Sequence, residues 1–134
     1  MKALRASVWI AEVVLAIFYA AAGAMKLTLP MDELAAVFPW TNGYSDDLIS
    51  LTAFLDLLVA AGILIPDLLR SLPWATILAA LLSVVLQVLA IVFHLWQGDF
   101  GFILFNSLVL AISSFVLWGW SKTHLPPAES GASI

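Results

Sequence analysis

Hydrophobic positions in this chain are grouped on the scale of whole membrane spans rather than of single turns. Four long apolar stretches run from Ala6 to Leu27, Leu48 to Ile65, Trp74 to Trp96 and Phe100 to Trp120. Each holds about 18–23 residues, which at ~1.5 Å of rise per residue crosses a hydrocarbon core of roughly 30 Å. Backbone groups in lipid must satisfy one another, which short connected segments achieve only as helices. The predicted fold is therefore all-α: an antiparallel bundle of four transmembrane helices.

The interruptions sharpen this reading. Asp46 and Asp47 precede the second stretch and Pro66-Asp67 closes it. Pro73 opens the third, where a missing N–H costs nothing. Gln97-Gly98-Asp99 is a tight turn, so the third and fourth spans are predicted to be antiparallel neighbours. In the longest connection, Met31 to Phe38 places Leu34, Val37 and Phe38 on one face of a short helix ended by Pro39. It reads as an interfacial segment on the bundle mouth, or alternatively as an irregular acidic loop. Residues 1–120 form one membrane domain. The polar stretch from Ser121 to Ile134, with Pro126-Pro127 and Gly131, reads as a disordered cytoplasmic tail.

Composition changes the picture by naming the solvent. The 134 residues are 63% hydrophobic and 10% charged, against roughly 45–50% and 25% in soluble proteins. So little charge cannot cover a water-facing surface. No basic stripe supports a nucleic-acid partner. The absence of cysteine excludes disulfides, thiolate metal sites and iron–sulfur clusters. His94 and His124 are too far apart to suggest a metal site.

The placement of charge predicts orientation. Lys2, Arg5, Arg70 and Lys122 fall on one side of the four spans, and Asp32, Glu33, Asp46, Asp47 and Asp99 on the other. The positive-inside rule puts both termini in the cytoplasm. Trp9, Trp74, Trp118 and Trp120 lie at predicted inner ends, and Trp40 and Trp96 at outer ones, as an aromatic belt would place them. Lys2, Arg5, the first apolar run and Ala22-Gly23-Ala24 also resemble a signal peptide with its cleavage site. Glu12, inside that run, argues instead for a retained span.

The candidate chemistry lies in side chains that do not belong in lipid: Glu12 and Lys26 in span one, Asp56 in span two, Gln87 and His94 in span three, Asn106 in span four. A charge near the bilayer centre costs at least ~2.5–3.5 kcal/mol on insertion scales, so such groups turn inward and find partners. Glu12, Tyr19 and Lys26 are seven apart, as are Gln87 and His94, and Asn106 and Ser113. Seven residues is nearly two turns, so each set forms one stripe. The cluster occupies the outer half of the bundle, with Glu12 a second polar position near the inner end. The sharp expectation is a buried Lys26–Asp56 ion pair bordered by His94, Gln87 and Asn106, lining a chamber open outward. The axial gap of about 9 Å is bridged by the lean of side chains toward their helix N-termini and by the length of lysine. The bland alternatives are Lys26 snorkelling to the interface, His94 in the headgroup layer, and Gln87 and Asn106 as interhelical glue worth ~0.6 kcal/mol each. Ala16, Ala20 and Ala24, with Gly23, and Ala60-Ala61-Gly62 are small enough for close helix approach, within the bundle or along a homodimer seam.

Taken in order, Ala-Ala-Gly-Ala-Met-Lys-Leu (21–27), Leu55-Asp56 through Pro66, His94-Leu-Trp-Gln-Gly-Asp99 and Asn106 resemble the DoxX-like family of small four-helix membrane proteins, over most of the chain. The acidic position of span two is usually Glu in that family; Asp56 is one methylene shorter. The resemblance implies a bacterial inner-membrane location and an association with sulfur and quinone redox chemistry or with oxidative-stress complexes. A more distant resemblance is to NACHO, an animal endoplasmic-reticulum chaperone of receptor assembly. Two functions follow as expectations. One is a non-catalytic, chaperone-like binding or assembly module among membrane lipids, with a homodimer or other membrane proteins as partners. The other is a subunit of a quinone-linked redox system, holding a quinone, a lipid or another amphipathic small molecule. In that case Lys26 or His94 would donate to a carbonyl, and Asp56 or His94 would relay protons. The sequence supplies no catalytic residue set and no metal ligands, and a proton-coupled carrier is the weakest reading.

Overall fold

The computed structural model describes residues 2–123. Among them the chain forms α1 (Lys2–Thr28), α2 (Met31–Val37), a 3₁₀ turn (Pro39–Thr41), α3 (Asp46–Leu68), α4 (Pro73–Gln97) and α5 (Phe100–Thr123), with no strand. The four long helices are each long and apolar enough to cross a membrane. Their ends follow local chemistry. Ser45 caps α3 by accepting from the Leu48 N–H, and Asp46 and Asp47 sit in the first turn, where the helix dipole favours negative charge. Pro73 is at the first position of α4. Gly98 ends α4 with φ +73°, receiving no strain for lack of a Cβ. The Asp99 N–H closes that turn on the His94 carbonyl at 2.9 Å.

Two helix boundaries and one helix face differ from the sequence expectation. Pro66 does not close α3; the helix carries it and ends at Leu68. A proline this close to a helix end removes one N–H, and the chain turns three residues later through Arg70 and Leu72, both at positive φ. The α5 helix continues through Thr123, three residues into the expected tail. The Thr123 hydroxyl bonds the Gly119 carbonyl at 2.8 Å, and Arg5 at the start of α1 donates to the Thr123 carbonyl at 3.2 Å. The rest of the expected tail, with His124, lies outside the described residues. On α2, Leu34 is buried and Phe38 half-buried, but Val37 points away at 45% exposure. Phe38 is the C-cap of α2, with φ −122° and ψ 82°, so it leaves the helix period that turns Val37 outward.

The long helices form a ring in which α1 packs on α3, α3 on α4, α4 on α5 and α5 back on α1. Val8, Leu15, Val59, Ile63 and Val116 fill the centre with almost no exposure. Apolar side chains also cover the outside: Ile17, Phe54, Leu58, Leu89 and Leu104 are 60–80% exposed. Meanwhile Glu12, Thr76, Ser83 and Ser113 are wholly buried. Polar groups inside and hydrocarbon outside is the distribution that lipid imposes. Close packing of α1 on α3 depends on Gly23, where a Cβ would stand 2.8 Å from Leu57 Cγ and 2.9 Å from the Ala53 carbonyl oxygen.

Candidate functional site

The polar side chains fall into three groups stacked along the bundle. The first is at the end that carries the acidic loops. Lys26, in the last turn of α1, places Nζ 2.6 Å from Asp56 Oδ2 on α3, and the two side chains are 9% and 11% exposed. The shorter aspartate reaches because Gly23, one turn earlier, lets the two backbones approach. Phe38 and Trp40 lie over the ammonium, each ring centroid 5.4 Å from Nζ. These cation–π contacts use the remaining faces of the charge. Lys26 is therefore held beneath the α2 cap, and does not extend to an interface. A cation and an anion at this depth neutralise each other, so neither has to enter hydrocarbon as a free ion.

The second group crosses the middle of the bundle. Gln87 Nε2 donates to the Tyr19 hydroxyl at 2.8 Å, which leaves the phenolic proton for Ser83 at 2.6 Å. Ser83 then donates to Ser113 at 2.6 Å, and Ser113 donates to the Val109 carbonyl at 2.8 Å. Proton counting fixes every direction, because each hydroxyl has one hydrogen to give. The ladder starts on an amide and ends on a backbone carbonyl. It ties α1, α4 and α5 together and offers no exchangeable path along the bundle.

The third group is at the opposite end. Glu12 is wholly buried, and Trp120 Nε1 donates to its Oε1. Asp67, near the end of α3, is its acidic neighbour. Trp120 is 3% exposed, whereas Trp9, Trp74, Trp96 and Trp118 are 46–78% exposed. It is thus not a belt residue; its indole turns inward to serve the carboxyl.

The expected single chamber around the ion pair is not what forms. Gln87 is taken by Tyr19, seven residues or about 10 Å of helix from Lys26, and so belongs to the middle ladder. Its Oε1 has no hydrogen-bond partner among the described residues. Asn106 is buried at 8% exposure. His94 is 5% exposed and stacks on Phe102, ring centroids 5.2 Å apart. Its Nδ1 has no hydrogen bond among the described residues and lies 3.6 Å from Asp99 Oδ2. That distance is an electrostatic contact, too long to be a hydrogen bond.

The open space at the acidic end is a cleft of about 250 Å³, walled by Trp40, Tyr44, Phe93, His94, Gln97 and Asp99. Gln97 donates to the Tyr44 hydroxyl at 3.0 Å, joining the two walls. Tyr44 and Phe93 pack edge to face, centroids 5.7 Å apart. Sequence reasoning overlooked Ser83, read Trp120 as a belt residue, and gave Tyr44, Phe93 and Asp99 no role in a site. A signal existed for the first two. Ser83 is four residues before Gln87 on the same face. Trp120 extends the Asn106–Ser113 stripe by another seven. The cleft walls come from segments remote in sequence and carry no such signature.

Among known proteins, the family model described as the DoxX-like family matches residues 10–116, a span holding Glu12, the ion pair, the ladder and the cleft. No curated protein and no solved structure matches the chain.

Proposed function

The chain belongs to the DoxX-like family, and from that premise we propose that this integral membrane protein is a non-catalytic binding module, holding an amphipathic small molecule or lipid at the acidic end of its bundle. The observation that carries this reading is how polar capacity is distributed. Lys26 and Asp56 neutralise each other, and the protons of Tyr19, Ser83 and Ser113 are committed to one another and to a backbone carbonyl. Groups so engaged are poor general acids or bases, which need a proton to exchange with a reactant. The cleft is lined by His94, whose buried Nδ1 has no hydrogen bond among the described residues, and by the half-buried carboxylate of Asp99 beside it. The cleft sits at the helix ends, the depth of lipid headgroups, with both chain termini on the cytoplasmic side of a bacterial inner membrane. An assembly role, with a second copy or another membrane protein, would use the outward-facing small residues Ala20 and Ala24 of α1.

A second reading, a quinone-facing subunit of a redox complex, is favoured by one feature: the aromatic side chains Trp40, Tyr44 and Phe93 offer a quinone ring stacking partners. Native mass spectrometry of protein released from its own membrane in mild detergent separates the readings. Retention of a lipid or small amphiphile, lost on closing the cleft by Asn42→Trp at another residue of its lining, is the expected result. A co-purified quinone would favour the redox subunit. A bare chain, or partner chains without any small molecule, would overturn the ligand-binding reading.

A further inference from the structure

We propose that the cleft recognises a protonated primary amine, the chemistry shared by an ethanolamine lipid headgroup and a free amphipathic amine; this rests on the binding reading above and names its ligand class. Three observations converge. The first is His94, a residue of the cleft wall that is 5% exposed and whose buried Nδ1 has no hydrogen bond among the described residues. In the tautomer that carries its proton on Nε2, this nitrogen is an acceptor without a donor. The second is Asp99 Oδ2, 3.6 Å from that nitrogen. The two atoms are too far apart to bond each other, and an –NH₃⁺ seated on Asp99 donates to both when the buried His94 ring tilts toward the cleft. The third is the aromatic wall of Trp40, Tyr44 and Phe93, a residue type that attracts cations and already does so where Trp40 meets Lys26.

Charge selects the same class. The segments at this end of the bundle carry Asp32, Glu33, Asp46, Asp47 and Asp99, while Lys26, the one Lys or Arg at this end among the described residues, is spent on Asp56. A phosphate or carboxylate entering alone would meet Asp99 with no cation to receive it. A quaternary ammonium has no N–H for His94 and would leave that nitrogen unsatisfied. A primary ammonium supplies three donors and a charge. The volume of about 250 Å³ admits such a head while its apolar tail follows the helix surface into lipid.

The test uses the full chain in nanodiscs of defined composition, read by native mass spectrometry of retained molecules. Discs contain equal parts of phosphatidylethanolamine, phosphatidylcholine and phosphatidylglycerol, or phosphatidylglycerol alone with added dodecylamine. The expected result is about ten-fold preferential retention of phosphatidylethanolamine over phosphatidylcholine, the worth of one charge-assisted hydrogen bond. Asp99→Asn and His94→Phe should each abolish the preference, while Asp46→Asn preserves it. Retention of the lipid without the amine identifies a headgroup as the natural ligand; retention of dodecylamine alone identifies a free amine. Equal retention of the three lipids, or a preference for phosphatidylglycerol, overturns the amine assignment and leaves the binding reading standing. Retention of nothing, with thermal stability unchanged, overturns both.

Discussion

At the scale of single residues, the interior of this protein is a set of polar groups that lipid forces to solve their own hydrogen bonding. The Tyr19 hydroxyl is the joint of the middle ladder, accepting from Gln87 and donating to Ser83. Tyr19→Phe keeps the ring and its edge-to-face contact with Phe18 but leaves two buried partners unpaired. A loss of about 1–2 kcal/mol in detergent unfolding is expected; Ser113→Ala, at the end of the ladder, is expected to lose roughly 0.6 kcal/mol. Equal effects would show that the ladder is not organised through the tyrosine. Much at this scale was legible in advance. Seven-residue spacing placed Tyr19, Lys26, Gln87, His94 and Asn106 on inward stripes, since polar side chains in an apolar run have one direction available to them. Which partner each would take was not legible. That depends on the relative height of neighbouring helices, and it assigned Gln87 to Tyr19 instead of to the ion pair.

At the scale of elements, the α1–α3 contact decides whether the charges meet. Gly23 is buried against Ala53 and Leu57, and Lys26 lies one turn further along the same helix. Leu57 can rotate away from an added methyl group, but the Ala53 carbonyl oxygen is backbone and cannot. Gly23→Ala is therefore expected to push α3 outward and to destabilise the bundle by about 1–3 kcal/mol. Ala24→Gly, at an outward-facing position, is a control expected to lose no more than about 1 kcal/mol, the helix-propensity difference. A fall in thermal midpoint as small for Gly23→Ala as for the control would mean the helices have slack. Helix existence was readable from apolar length alone. Helix ends were less so, because Pro66 near a C-terminus resembles a stop yet is tolerated there, and because beyond Trp120 the polar Ser121 and Thr123 donate to the Trp118 and Gly119 carbonyls while the Arg5 side chain donates to the Thr123 carbonyl.

At the scale of the whole molecule, the bundle has a basic end and an acidic end, and its polar core runs between them. The charge asymmetry predicts that, in intact cells, a cysteine placed by Asp99→Cys is labelled by an impermeant maleimide and one placed by Arg70→Cys is not; the reverse pattern would invert the orientation. The native chain has no cysteine, so the label reports a single site. The central claim is that α1 and α3 are held together at the acidic end by one buried charge pair, because an unpaired lysine or aspartate at that depth is far worse than either a pair or no charge. A thermal double-mutant cycle on the purified protein tests this most directly. Lys26→Met and Asp56→Asn should each lower stability by about 3 kcal/mol or more, and the double substitution by distinctly less than their sum. Strictly additive losses would contradict the claim.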